Sequence, residues 1–194
     1  TKINIKYLEA IENQDDYRLV LKRGGASGAL QSSNPLIYFD KMSNKMIIKV
    51  KTLQADKEAI SFTNLDSVIG NQGQTFTKDN CYYATFIIDY VPMQTWVNVL
   101  LNVDNNIITL FMNGDKHSTR VLNENNDDCP TALSNVVSPS TGDIQVGNIP
   151  SGIHSFNGYL SRIQSFDHSL KTVNDVKSVY SKGPVASKSI LQYL

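Results

Sequence analysis

The side chains able to do chemistry in this chain are few, and their spacing argues against most enzymatic uses. Glutamate occurs only as Glu9, Glu12, Glu58 and Glu124. A retaining glycosidase needs two carboxylates ~5–5.5 Å apart, one as nucleophile and one as acid–base. Glu9 and Glu12 are three apart, so on a regular strand they point to opposite faces. Asp127 and Asp128 are adjacent and fall in an expected loop. Asp167, His168 and Ser169 are contiguous, whereas a catalytic triad is assembled by the fold from separate places. Their expected role is the turn before a helix. No Gly-x-Ser-x-Gly elbow occurs, and Gly24, Gly25 and Gly28 lack the Lys-Ser/Thr that completes a phosphate-binding loop. The reading is of a chain without catalytic activity.

Metal chemistry is limited to oxygen donors. Asn123-Glu-Asn-Asn-Asp-Asp128 is an acidic, amide-rich run, first of all a solvated loop. Calcium is the cation such a run would suit, because hard cations want several oxygen ligands. The spacing matches no EF-hand loop, so no metal site is assigned; Asp127, Asp128 and Asp143 are the candidates. Cys81 and Cys129 cannot form a zinc site alone, and His117, His154 and His168 are not at ligand spacing with them. The two cysteines either bridge, closing a loop worth roughly 3–4 kcal/mol, or stand as ordinary thiols of a reduced compartment.

These residues are carried by 194 residues, enough for one domain with a real core. Eighteen basic residues balance eighteen acidic ones, so no global field attracts nucleic acid or an anionic membrane. A near-neutral surface associates readily, which favours a packed or assembled setting. The basic set is mostly lysine, and Asn and Ile are abundant, a bias that an AT-rich genome produces. No stretch reaches the ~18–20 apolar residues of a membrane span. No signal peptide and no Asn-x-Ser/Thr acceptor is visible. The first residue is Thr1, so a longer parent chain is expected, with an anchor upstream left open.

The positioning elements read as strands. Pro92 to Gly114 reads as a hairpin: Val97, Val99, Leu101 and Val103 alternate with Trp96, Asn98, Leu100 and Asn102. Asp104 to Asn106 makes the turn, and Ile107 to Met112 returns to Asn113-Gly114, another hairpin signal. Further strands are expected at Ile3–Tyr7, Tyr17–Lys22, Leu36–Phe39, Met46–Thr52, Ala59–Thr63, Tyr82–Tyr90, Lys116–Leu122, Asp143–Gly147 and Phe156–Phe166. Asn64–Asn80 is a long irregular loop. Thr172 and Asp175 have capping-box spacing. Val173, Val176, Val179 and Tyr180 recur at helical spacing, and Gly183-Pro184 stops the run. A short helix is expected over Val173–Ser181. Residues 1–184 form one all-β sandwich; residues 185–194 are a tail or edge strand able to bind a neighbour.

Trp96-Val-Asn-Val, Leu110-Phe-Met-Asn113-Gly114, Leu21-Lys-Arg-Gly24, Asn34-Pro-Leu-Ile-Tyr-Phe39, Ile144-Gln-Val-Gly147 and Phe156-Asn-Gly158-Tyr-Leu-Ser161 through Gly183-Pro184 occur in one order. In that order they resemble the laminin G-like, concanavalin A-like lectin/glucanase superfamily. Pro92 to Val99 and Gly158 to Ser161 are similar to members encoded by large DNA viruses of algae and protists. The resemblance implies a concanavalin A-like antiparallel jelly roll with one short C-terminal helix. The glucanase signature, Glu-x-Asp-x-Glu on one strand, is absent, so glucanase activity is not expected. The viral likeness implies a virion-associated, minor capsid or capsid-surface module that contacts other virion proteins. Lectin-like relatives imply the alternative, an extracellular carbohydrate-binding module at a virion or cell surface, with calcium as the candidate assisting ion. Its candidate platform residues are Tyr82, Tyr83 and Tyr90, which otherwise pack across a sheet. Trp96 is expected in or near the core.

Overall fold

The computed structural model describes residues 18–24, 33–40, 43–51, 83–122, 137, 141–147, 154–155 and 158–184. The expected strands at Ile3–Tyr7 and Ala59–Thr63, the Asn64–Asn80 loop, the Asn123–Asp128 run, Cys81, Cys129 and the tail 185–194 lie outside these residues.

Nine strands and one helix are described. They are β1 (Arg18–Arg23), β2 (Leu36–Phe39), β3 (Met46–Lys51), β4 (Tyr83–Ile88), β5 (Val99–Asp104), β6 (Ile107–Met112), β7 (Asp115–Val121), β8 (Ile144–Val146), β9 (His154–Ser155) and α1 (Val173–Ser181). The larger sheet runs β4-β3-β2-β1-β8 with antiparallel neighbours. The short β9 pairs in parallel with Arg18 and Leu19. The smaller sheet is the antiparallel meander β5-β6-β7. The described residues form an all-β sandwich with one short helix.

Strand alternation builds the core. Registers Ile37↔Ile48↔Phe86 and Phe39↔Met46↔Ile88 put one set of β2–β4 side chains on a common face. That face meets Val99, Leu101, Val103, Ile108, Leu110 and Met112 of the smaller sheet in a single apolar cluster. Ile48, Ile108 and Leu110 are fully buried, each worth about 1.5–3 kcal/mol relative to exposure. The opposite face of the large sheet is also closed to water, with Leu19, Leu36, Tyr38 and Ile47 buried. Two charged side chains, Lys22 and Lys49, are buried there too, at 0% and 2% exposure. The cross-strand partners Lys22↔Leu36 and Leu36↔Lys49 place these two lysines on the same face, one strand apart.

Asparagine side chains close the fold by standing in for backbone. Asn34 accepts from Lys51 N–H at 3.0 Å and donates to Lys51 C=O at 3.2 Å. Asn102 does the same to Leu170, at 2.8 and 3.1 Å. Asn113 Oδ1 accepts from Asn98 N–H at 2.9 Å while Asn113 N–H donates to Asn98 C=O, also at 2.9 Å. Each primary amide offers one donor and one acceptor in the geometry of a peptide unit, so it continues a ladder where the strand has ended.

Asn113 and Gly114 take φ of 53° and 83°. Both central residues left-handed is the turn whose twist matches paired strands. Gly114 is required twice over, because a Cβ there would meet Tyr180 Cδ1 at 2.9 Å. Thr172 Oγ1 accepts from Asp175 N–H and the Asp175 carboxylate accepts from Thr172 N–H, a complete capping box. Gly183, at φ 59°, donates its N–H to Tyr180 C=O and ends α1 ahead of Pro184. Gly147 closes β8 by donating to Val20 C=O.

Two expectations are corrected. The strand over Phe156–Phe166 does not form: the described part of that stretch, from Gly158 on, makes no ladder. Arg162 breaks the extended path at φ 50°, and Tyr159 is 88% exposed. Alternation shows which side chains a partner strand would sort, but it does not supply that strand. Trp96 is neither in a strand nor in the core: β5 begins at Val99 and Trp96 is 54% exposed. On α1 Val176 is buried, Val173 is exposed, and Tyr180, partly exposed, lies against Gly114.

Candidate functional site

The described carboxylates with shifted pKa are spent on structure. Asp104 accepts from Lys171 Nζ at 2.6 Å and from Ser169 Oγ at 3.3 Å. The Lys171 hydrogen bond leads in holding its carboxyl below the usual carboxylate range. Hydrogen bonds from Thr172, first its backbone N–H, do the same for Asp175, and His168 does so for Asp167. A general acid working near neutral pH needs a raised carboxyl, and all three shifts run the other way. The Asp167-His168-Ser169 run lies before α1, as its sequence position suggested. His168 Nδ1 sits 2.7 Å from Asp167 Oδ1, while Ser169 turns to Asp104. His168 and Ser169 line a shallow, open depression of about 360 Å³ with Leu170, Lys171, Asp175, Ser178 and Val179.

Among the candidate metal ligands, Asp127 and Asp128 lie outside the described residues. Asp143 is exposed, and its backbone carbonyl accepts from Gly24 N–H at 3.0 Å. Among the described residues no cluster of three His, Cys, Asp or Glu side chains is placed to hold a metal. Tyr82 also lies outside them. Tyr83 opens β4 opposite Lys51.

Tyr90 belongs to a distinct surface. After Ile88 the chain leaves β4 and crosses to β5 through residues 89–98. Asp89 approaches Lys45 Nζ at 4.0 Å. Val91 turns inward onto the core, and its N–H donates to Asn44 C=O at 2.9 Å. Gln94, at φ 59°, turns the chain, and the Asn98–Asn113 pair of hydrogen bonds hands it to β5. With Val91 fixed inward, its neighbours are thrust outward. Tyr90 is 58% exposed, Met93 56% and Trp96 54%.

The turn before β3 is held at several points. Arg18 donates to the carbonyls of Asp40 and Ser43 and lies over the Phe39 ring at 5.3 Å. Ser43 Oγ donates to the Asp40 carboxylate at 2.7 Å. The turn that carries Asn44 and Lys45 is thus pinned, and Val91 N–H is bonded to it. On the other side the Asn113–Gly114 turn packs under Tyr180. Tyr90 and Trp96, both singled out from the sequence, are exposed on this connection with Met93, which was not singled out.

A second exposed apolar run follows Gly158, which is itself exposed: Tyr159, Leu160, Ile163 and Phe166. Arg162 Nε donates to Gly183 C=O at 2.8 Å, tying this run to the end of α1. Among the described residues no helix is long and apolar enough to cross a membrane.

No protein-family model matches the chain, and no curated protein matches it. Among solved structures, the crystal structure of an S-layer domain-containing protein (residues 221–444) from Clostridium thermocellum ATCC 27405 is similar at a TM-score of 0.35 and 10% identity. The match covers 87% of this chain and 64% of that one, and at this TM-score it carries no argument about fold or function.

Proposed function

We propose that the chain is a non-catalytic interaction module that works through protein–protein contacts. The observation that carries this reading is the exposure of Tyr90, Met93 and Trp96 on a connection pinned through Val91. Aromatic residues and Met are enriched where proteins meet, and rigid presentation lowers the entropic cost of contact. The order of the sequence motifs supports a laminin G-like, concanavalin A-like relationship. It also supports a setting as a virion-associated protein of a large DNA virus, at or near the capsid. Cross-linking of the native particle with mass spectrometry tests this: cross-links from Lys45, which approaches Asp89 at the start of that connection, to other virion proteins are expected. A chain missing from purified particles sinks the viral setting, and reducing-sugar release from β-glucans sinks the non-catalytic reading.

One observation favours a second reading, a carbohydrate-binding module at a virion or cell surface. Half-exposed Trp96 and Tyr90 offer flat faces on which a sugar ring can stack. A glycan array with and without chelator separates the two. Binding abolished by Trp96→Ala favours the lectin-like module, and loss on chelation adds calcium.

A further inference from the structure

We propose that Lys22 and Lys49 hold one small tetrahedral oxyanion, phosphate or sulfate, on the face of the large sheet turned away from the core cluster. The site is independent of the interaction-module reading, and either can fail without the other.

The ladder sets the two lysines in one row. Gln145 on β8, Lys22 on β1, Leu36 on β2, Lys49 on β3 and Thr85 on β4 are successive cross-strand partners. Cross-strand partners share a face, so the lysines stand on the same side of the sheet with Leu36 between them. Two strand spacings separate their backbones, roughly 10 Å. Two flexible four-carbon stems can close that gap and bring both amines to one ion.

The charge of this sheet is one-sided. Its strands carry Arg18, Lys22, Arg23, Lys49 and Lys51 and no Asp or Glu, although the whole chain is balanced. The arginines are answered by carbonyl oxygens, Arg18 by those of Asp40 and Ser43 and Arg23 by that of Gly142. Lys22 is not: it is fully buried, and its Nζ has no hydrogen-bond partner among the described residues. Lys49 is buried in the same row. A buried charge is costly unless it is paired and hydrogen-bonded, and a like charge nearby adds to the cost. One oxyanion answers both lysines, because its oxygens accept several charge-assisted hydrogen bonds at once. Burial selects a small ion over a polymer, since a polyanion binds along an open basic groove. The row reaches water at its β8 end, where exposed Gln145 can donate its amide to an entering ion.

The full chain in sodium chloride is titrated with inorganic phosphate, and separately with sulfate, by calorimetry. Saturable binding of one ion per chain is expected. Lys22→Met and Lys49→Met should each weaken it tenfold or more, as removing one charge-assisted donor does. At about a hundredfold excess over Kd the wild-type Tm should rise by roughly 5 °C more than that of Lys22→Met. Both salts also stabilise proteins by exclusion from the surface, but that gain is common to the two chains and cancels in the difference. NMR of isotope-labelled lysine in the wild type locates the ion without a substitution: the signals of two buried lysines should shift with phosphate.

A wild type that binds neither ion overturns the proposal. So does binding that survives Lys22→Met or Lys49→Met, or an NMR response confined to exposed lysines, because the ion then sits elsewhere. Binding of heparin without binding of either inorganic ion overturns it in favour of a surface polyanion site.

Discussion

Replacing Lys22 with methionine should make this protein more stable. Lys22 sits in the interior of the large sheet, between Leu36 on β2 and Gln145 on β8. It is fully buried, and its Nζ has no hydrogen-bond partner among the described residues. Burial pushes its pKa below the ordinary 10.5. An unsatisfied buried polar group costs about 1–3 kcal/mol, more if charged. Methionine keeps most of the stem and removes the amine. The expected gain is therefore about 1–3 kcal/mol, or on the order of 2–4 °C in Tm per kcal/mol for a domain of this size.

The sign of the pH dependence follows from linkage. Between the lowered folded-state value and 10.5 the unfolded chain binds the proton and the folded chain does not, so the wild type gains stability as pH rises through that window. Below the window the full penalty applies. Urea denaturation from neutral pH to about pH 10 checks both points: the midpoint should be higher for Lys22→Met, with an unchanged m value, and the variant should lose the upward slope. A less stable variant, or one with the same slope as the wild type, refutes the reasoning. It would mean that the amine has a partner and that its burial is compensated.

Asn102→Ala removes the amide that satisfies both backbone groups of Leu170; a loss of about 1–3 kcal/mol in urea denaturation is expected, since two polar groups lose their partner. Gly114→Ala puts a side chain at φ 83° and into Tyr180. The left-handed backbone alone costs about 1–2 kcal/mol, and calorimetry should show a total of about 2 kcal/mol or more. Acid should loosen the start of α1. Asp104 and Asp175 both have carboxyls held below the ordinary 3.8, so their stabilising contacts are complete above that value and disappear as pH falls through the lower folded-state values. NMR titration of the Lys171 and Thr172 amides reads this, and Asp104→Asn should remove the Lys171 response.

Where local chemistry decides the structure, the sequence could be read to the residue. Leu36–Phe39 follows Asn34-Pro35 and is bounded by Asp40, and the strand occupies those residues. The helix begins after Thr172 because Thr172 and Asp175 satisfy each other, and it stops before Gly183. Where a distant partner decides, alternation misled. Tyr159, Ser161 and Ile163 have the period of a strand, yet the described residues provide no strand beside them. Trp96 looked like the first core residue of β5. It is set outward by the inward turn of Val91 and the Asn98–Asn113 bonds, contacts between segments remote in sequence. The abundance of asparagine was legible only as a bias, because nothing in the letters shows that Asn34, Asn102 and Asn113 each complete a ladder. The exposed connection was half legible: Tyr90 and Trp96 were singled out, but the anchoring of Val91 to Asn44, between segments remote in sequence, was not.

The attachment of α1 determines how the molecule would bear a pull. The helix is tied at its start through Asn102–Leu170 and Asp104–Lys171, and at its end through the Tyr180–Gly114 contact and the Arg162–Gly183 bond. Tension applied beyond Pro184 reaches the Gly183 tie first and then peels the helix turn by turn from the small sheet. The β-ladders, whose many hydrogen bonds resist shear together, are loaded only afterwards. Within an assembly under strain, α1 would act as a mechanical fuse that yields before the sandwich does.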